Sequence, residues 1–469
     1  MNSPCQSSVG IVGGGIAGLA AGCALADAGF QVTVFERRPY VGGRASSYEH
    51  PGTGEVVDNC QHVLLGCCTN LLDFYGRIGA SGKIRWFDHL TFIEPGGRRS
   101  EIRSSALPAP LHTSPSFLRA KSLSFRDKVR IARAMLALMG PLPADGPRSF
   151  ADWLREHGQT QPAIDRFWKV VLVSAINEDL DRISVRYGAQ VLRESFLKSA
   201  EAGRMGVPTV PLSQLYGDAI DYIESRGGCV LLRTGVELTV AERNGVVFET
   251  TAGAQRFDYG VLAVPHHLLS KLLPAQNGTG KLSAGLREQL GKFESSPITG
   301  IHLWFDREIT ELPHAVLLDR TIQWMFQKSK LQATRRESGP QGSYLELVVS
   351  SSKSLVEMGR QQIIDLAMGE LAEFFPAVKE AKLLKATVVK ELHATYSALP
   401  GSDAYRPATR SPWSRLFLAG DWTRTGWPAT MEGAVRSGYN AAQILAEEAN
   451  NPHRFLVEDL KAKGLMAWF

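Results

Sequence analysis

The sequence predicts an α/β protein in which one domain is assembled from separated stretches of chain and a second, α+β domain is inserted into it. Three segments carry that expectation. Residues 9–18 read Val-Gly-Ile-Val-Gly-Gly-Gly-Ile-Ala-Gly, residues 42–44 add Gly-Gly-Arg, and residues 416–421, near the other end, read Leu-Phe-Leu-Ala-Gly-Asp. In the first segment an apolar strand runs through glycines into a helix of small residues, and a second apolar strand, residues 31–35, ends on Glu36. Strand, turn, helix, strand and terminal acid within about 30 residues make a Rossmann-like βαβ unit for a dinucleotide. Gly13 allows the tight turn, Gly15 lets backbone approach a pyrophosphate, and Gly18 lets the helix pack on the strand, so that Ile16 and Ala17 bring helix amides to the phosphates. Glu36 stands where a carboxylate holds ribose hydroxyls.

Residues 37–47, Arg-Arg-Pro-Tyr-Val-Gly-Gly-Arg-Ala-Ser-Ser, separate a flavin from a nicotinamide cofactor. Here the chain resembles the flavin-containing amine oxidase and phytoene desaturase superfamily. The resemblance implies FAD, with the Gly42-Gly43-Arg44 segment curling over its pyrophosphate, Arg44 near the flavin and Arg37 among the cofactor-binding residues. The chemistry suits it, since the diphosphate is dianionic and arginine offers a rigid fork of donors.

Composition agrees. The 469 residues exceed what one core organises, so about two domains are expected. A net charge of +5 without a long basic run does not imply nucleic acid. The six cysteines, Cys5, Cys23, Cys60, Cys67, Cys68 and Cys229, show no ligand spacing, so no metal site is expected and the thiols read as reduced in a cytosolic protein. Residues 1–26 lack a charge, yet their glycines and missing basic start argue against a signal peptide, and no other apolar run reaches spanning length.

Along the chain, a strand ends at Val56-Val57-Asp58, helical patterns dominate 101–202, an amphipathic helix covers 218–226, and strands follow at 229–232, 236–241, 245–250 and 259–264. Strands at 298–305 and 344–349 belong to a second sheet, and 354–375 reads as a helix. The expected division is an FAD-binding domain from 1–100, 203–290 and 410–449, a substrate domain from 101–202 and 291–409, and a tail over 450–469. The resemblance sets Val236 beside the adenine, Gly420 and Asp421 against the diphosphate and ribityl chain, and the turn carrying Met431, Gly433 and Ala434 under the flavin. A helix starting there aims its positive end at the flavin ring.

Residues 57–72, with the motif Asp58-Asn59-Cys60-Gln61-His62, and residues 420–434 narrow the resemblance. They are similar to the bacterial squalene-associated FAD-dependent desaturases, the hydroxysqualene dehydroxylases; Cys60 stands where glycine is expected in many relatives. This implies reductive dehydroxylation of hydroxysqualene to squalene, on the way to hopanoids. Water is lost to an allylic cation, a hydride comes from reduced FAD, and an unidentified electron donor, with NAD(P)H through a reductase as the candidate, restores the reduced flavin. Loss of hydroxide needs a general acid, for which His62 and Asp58 are the candidates. Trp422, Trp427, Phe167, Trp168, Tyr396 and Trp304 are the candidate aromatic faces for the cation. A carotenoid-type desaturase or porphyrinogen-type oxidase is the alternative enzyme, and a prenyl-binding protein of the same fold the alternative without chemistry. A triterpene substrate lives in lipid. Residues 117–139 pair Arg126, Lys128, Arg130 and Arg133 with an apolar helical face, and the tail from Phe455 to Phe469 ends in apolar residues. Both suit a membrane surface, so a cytoplasmic protein held peripherally at the inner membrane is expected.

Overall fold

The computed structural model describes residues 7–274, 280–332 and 342–468. Its nucleotide domain is built on a parallel five-stranded sheet in the order Cys229–Leu231, Gln31–Phe35, Ser8–Val12, Tyr259–Leu262 and Leu416–Leu418. The first βαβ unit forms as expected: strand β1 (Ser8–Val12), helix α1 (Ile16–Asp27) and strand β2 (Gln31–Phe35). Helix α1 has no polar face because both its sides are covered. One lies on the sheet, and the other meets the C-terminal helix Met431–Glu448, whose Gly438 has no room for a side chain against the Ala17 carbonyl. No helix among the described residues is long and apolar enough to cross a membrane.

The second domain centres on a seven-stranded sheet in the order Leu383–Tyr396, Ser295–Phe305, Ser343–Ser350, Trp324–Gln327, His314–Leu317, His89–Ile93 and Arg99–Arg103. Its last two strands lie between residues 89 and 103, across the expected boundary at residue 101, so this sheet draws in chain expected in the FAD domain. Alternation along the strands sorts the side chains. Ile301, Leu303, Leu345, Leu347 and Met325 turn to the helix Arg360–Phe374 and pack on Ile363, Ala367 and Leu371. The residues between them face the nucleotide domain. Helices from Ser114–Arg119 to Val185–Leu192 fill the stretch expected to be helical. Of this sheet's strands only Ser295–Phe305 and Ser343–Ser350 were expected; the longest of the others, Leu383–Tyr396, is an edge strand whose apolar pattern is interrupted by Lys385, Lys390, Glu391 and His393.

Candidate active site

A cavity of about 600 Å³ runs between the two domains. At one end the nucleotide domain supplies backbone. Gly13 adopts φ +109°, and a Cβ there would meet the Ala263 carbonyl at 2.6 Å. Gly15 begins helix α1, and a Cβ on it would find only Gly43 Cα, at 3.9 Å, while one on Gly43 would lie 3.0 Å from Gly15 Cα. Two bare glycines thus face one another at the N-terminus of a buried helix, a cradle suited to a diphosphate. Glu36 is fixed at the end of β2, accepting from the amides of Gly14 at 2.9 Å and Arg38 at 2.8 Å. Arg38, which the sequence reading passed over, donates to the Gly43 carbonyl at 2.9 Å and lines the cavity beside Arg37. Val236 lines the far end.

Gly13, Gly15, Ile16, Ala17, Glu36, Arg37, Gly42, Gly43, Arg44, Val236, Gly420, Asp421, Met431 and Ala434 all line this cavity. Two expected cofactor residues do not. Gly18 packs with its Cα against the Gly13 carbonyl, which a Cβ would approach to 2.0 Å. Gly433 spends its amide on the Thr430 hydroxyl at 3.0 Å, the N-cap of the C-terminal helix, and a Cβ there would strike the Pro428 carbonyl. Both glycines serve packing. Arg44 spans the site, donating to Asp421 Oδ1 at 2.6 Å and to the Ala394 carbonyl of the second domain at 3.0 Å.

The catalytic pair divides. His62 lines the cavity, with Nδ1 2.8 Å from the Cys60 carbonyl. A carbonyl accepts only, so Nδ1 carries the proton and Nε2 is the ring's acceptor. Burial holds the imidazole below its ordinary value, the Cys60 carbonyl and Asp58 opposing, so the ring is neutral at pH 7. Asp58 does not line the cavity. Its Oδ2 lies 2.5 Å from Lys328 Nζ, and its Oδ1 takes the Ser47 hydroxyl at 2.5 Å and the Leu212 amide at 3.1 Å. Burial would raise its pKa, but these partners outweigh burial and hold the carboxyl below the usual range. Asp58 as proton donor is therefore corrected: it is an ionised anchor behind the wall.

The aromatic expectation shifts too. Of the six candidates only Trp422 lines the cavity, its indole donating to the Val264 carbonyl at 3.0 Å. Phe167 and Trp168 pack with each other in the helical part, Tyr396 lies by Arg406, Trp427 by Arg436, and Trp304 stacks on Tyr344. The cavity's other aromatic wall is Trp324 and Phe326, with stacked rings 5.6 Å apart, beside Ile298 and Val348. All four project from the same face of the sheet. Their signal in the sequence was the alternation of Trp324-Met325-Phe326 and of Glu346-Leu347-Val348, legible only once the strands are paired. Cys60 is buried against Phe326 and Val348, and burial pushes its thiol well up, so it is inert. The described cysteines are all free, Cys5 lies outside the described residues, and no cluster that could hold a metal is present among them.

Comparison with known proteins agrees with this geometry. The model of the flavin containing amine oxidoreductase family matches residues 16–446. The chain belongs to this family. It is an FAD-dependent oxidoreductase. It is 28% identical over 457 residues to the 15-cis-phytoene desaturase of Solanum lycopersicum, covering 93% of this chain and 77% of that protein. It is also 28% identical over 479 residues to a probable zeta-carotene desaturase of Synechococcus elongatus, covering 94% and 98%. Among solved structures, an oxidoreductase from Methanosarcina mazei superimposes with a TM-score of 0.72 at 17% identity, over 92% of this chain and 98% of that one, which bears on the fold.

Proposed function

We propose that this flavoprotein desaturates a long isoprenoid hydrocarbon, as carotenoid desaturases do. The observation that carries this reading is His62: a neutral imidazole in the cavity wall, its Nδ1 proton engaged by Cys60 and its Nε2 able to accept. Bound FAD supplies the hydride acceptor. The chain's part is to seat an apolar substrate between Trp422 and the face carrying Ile298, Trp324, Phe326 and Val348, to exclude water, and to take the proton lost from the neighbouring carbon. His62 Nε2 is the base. The relatives named phytoene and zeta-carotene desaturase support this direction.

Reductive dehydroxylation of hydroxysqualene is the second reading, favoured by the resemblance of residues 57–72 and 420–434 to that family. It needs an acid where the geometry offers a base, since His62 is neutral and Asp58 is tied to Lys328. Products decide between them. Purified holoprotein in liposomes with phytoene and an electron acceptor is expected to yield a polyene with an added double bond; squalene formed from hydroxysqualene by the reduced protein, with phytoene untouched, would replace this reading by the second.

Delivery from lipid completes the proposal, with peripheral attachment to the cytoplasmic side of the inner membrane. Phe125 (74% exposed), Leu136, Leu118, Leu111, Leu107 and Trp468 (86% exposed) stand outward on segments joined where the Leu465 amide donates to the Ala109 carbonyl. Arg126 and Arg133 are exposed on the helix of Phe125 and Leu136, a pattern suited to anionic headgroups. The expected basic set is corrected: Lys128 is buried and donates to the carbonyls of Leu118 and Ala120, and Arg130 is engaged by the Gly158 carbonyl.

A further inference from the structure

Behind the cavity wall lies a group of charges that the cofactor site does not use. Lys328 Nζ is 2.5 Å from Asp58 Oδ2, 2.8 Å from Gln61 Oε1 and 3.2 Å from Glu346 Oε2. All three side chains are buried: Lys328, Asp58 and Glu346 are 1%, 3% and 0% exposed. One ammonium therefore serves two buried carboxylates, and a second unmatched anion is unfavourable there. Geometry shows which carboxylate is left short. Asp58 takes the shortest contact with Lys328, a hydroxyl and an amide, whereas neither oxygen of Glu346 makes a well-formed hydrogen bond. Burial pushes the Glu346 carboxyl up to about 7, Asp58 adding to the shift and Lys328 and the Gln61 amide opposing it. Lys328 is held above its ordinary value because its carboxylates outweigh burial.

The same triad grips the stretch that shapes the cavity. Gln61 accepts from Lys328 and its Nε2 donates to the His62 carbonyl at 2.9 Å, while the Cys60 carbonyl orients the His62 ring. Around Glu346 stand Asp58 and Cys60 from this stretch, Lys328 from the short helix Lys328–Leu331, and His302, its cross-strand partner, which is bonded to the Tyr344 hydroxyl at 2.8 Å.

We propose that Lys328 and Glu346 are positioning residues that clamp residues 58–62 to the second domain, and that Glu346 exchanges a proton with solvent there, changing by one the charge behind the flavin cavity. The inference rests on the FAD site and not on which substrate enters it. With Glu346 as carboxyl the triad is neutral; when its proton leaves to solvent, one negative charge remains and opposes the addition of electrons to the site. The fold favours the acid form of Glu346, so its contribution to stability is complete below about pH 4.5 and is lost as pH rises through about 7.

The test is the midpoint potential of the bound FAD, measured without substrate from about pH 5 to 9, in wild-type, Glu346→Gln and Glu346→Asp holoprotein. Wild type is expected to show an extra downward step near pH 7, Glu346→Asp to keep a step, and Glu346→Gln to lack it and hold the acid-side level. The infrared carbonyl stretch of a protonated carboxyl in wild type should fade over the same interval, which serves even if Glu346→Gln does not fold. A Glu346→Gln profile that overlays wild type, or a wild-type carboxyl stretch unchanged across the interval, overturns the proposal. Neither readout involves turnover, so a wrong substrate assignment leaves both results intact.

Discussion

The two domains meet at one cavity and build their halves of it by opposite means. The nucleotide domain presents backbone: Gly15 and Gly43 face each other bare, and the amides of Gly14 and Arg38 fix Glu36. The inserted domain presents side chains: Ile298, Trp324, Phe326 and Val348 from one face of its sheet, with Glu346 and Lys328 just behind. A wall of backbone tolerates almost no side chain, whereas a wall of apolar side chains is set by volume and alternation and admits exchange. The nucleotide half should therefore fail abruptly on substitution and the inserted half by degrees, except at its buried charges.

Lys328→Met should break that contrast most severely. It leaves Asp58 and Glu346 buried without their cation, so we expect a loss of about 3–5 kcal/mol, read as a lower midpoint in urea unfolding of the holoprotein. Gly15→Val comes next: side-chain atoms would occupy the space left for the diphosphate, and the protein should purify with FAD affinity reduced by at least about a hundredfold, visible as lost yellow absorbance. His62→Ala should slow turnover about 100-fold with flavin content retained. Flavin lost from that variant would instead make His62 a cofactor contact. The smallest effect is at the surface: Arg126→Glu with Arg133→Glu should weaken sedimentation with anionic vesicles by about 1 kcal/mol per reversed charge and leave the absorbance unchanged. Equal sedimentation of variant and wild type would remove this helix from the membrane proposal.

The same contrast explains what the sequence disclosed. Glycines with free backbone are needed at fixed spacing, so residues 13–18, 42–44 and 420–421 announced the FAD half, and each of these segments reaches the cavity. Gly18 and Gly433 belong to the same motifs but act through packing, a difference that spacing cannot show. In the inserted half, Trp324 and Phe326 look like any buried aromatics until strand pairing puts them beside Val348 and Ile298. Lys328 and Glu346 stand 270 and 288 positions after Asp58 in the chain, so only folding joins them and no local pattern marks their meeting. Lys128 failed for the converse reason. A helix's basic face reads as solvated, yet this ammonium found two carbonyls under the Leu118–Ala120 turn.

The central claim is that His62 is a base beside a hydride acceptor, and anaerobic rapid mixing tests it most directly. Oxidised holoprotein mixed with phytoene in liposomes should lose its flavin absorbance in a single turnover, and the rate should fall as pH drops and the imidazole takes up a proton. Absorbance unchanged by phytoene, together with reduced holoprotein regaining its colour on mixing with hydroxysqualene, would contradict the account.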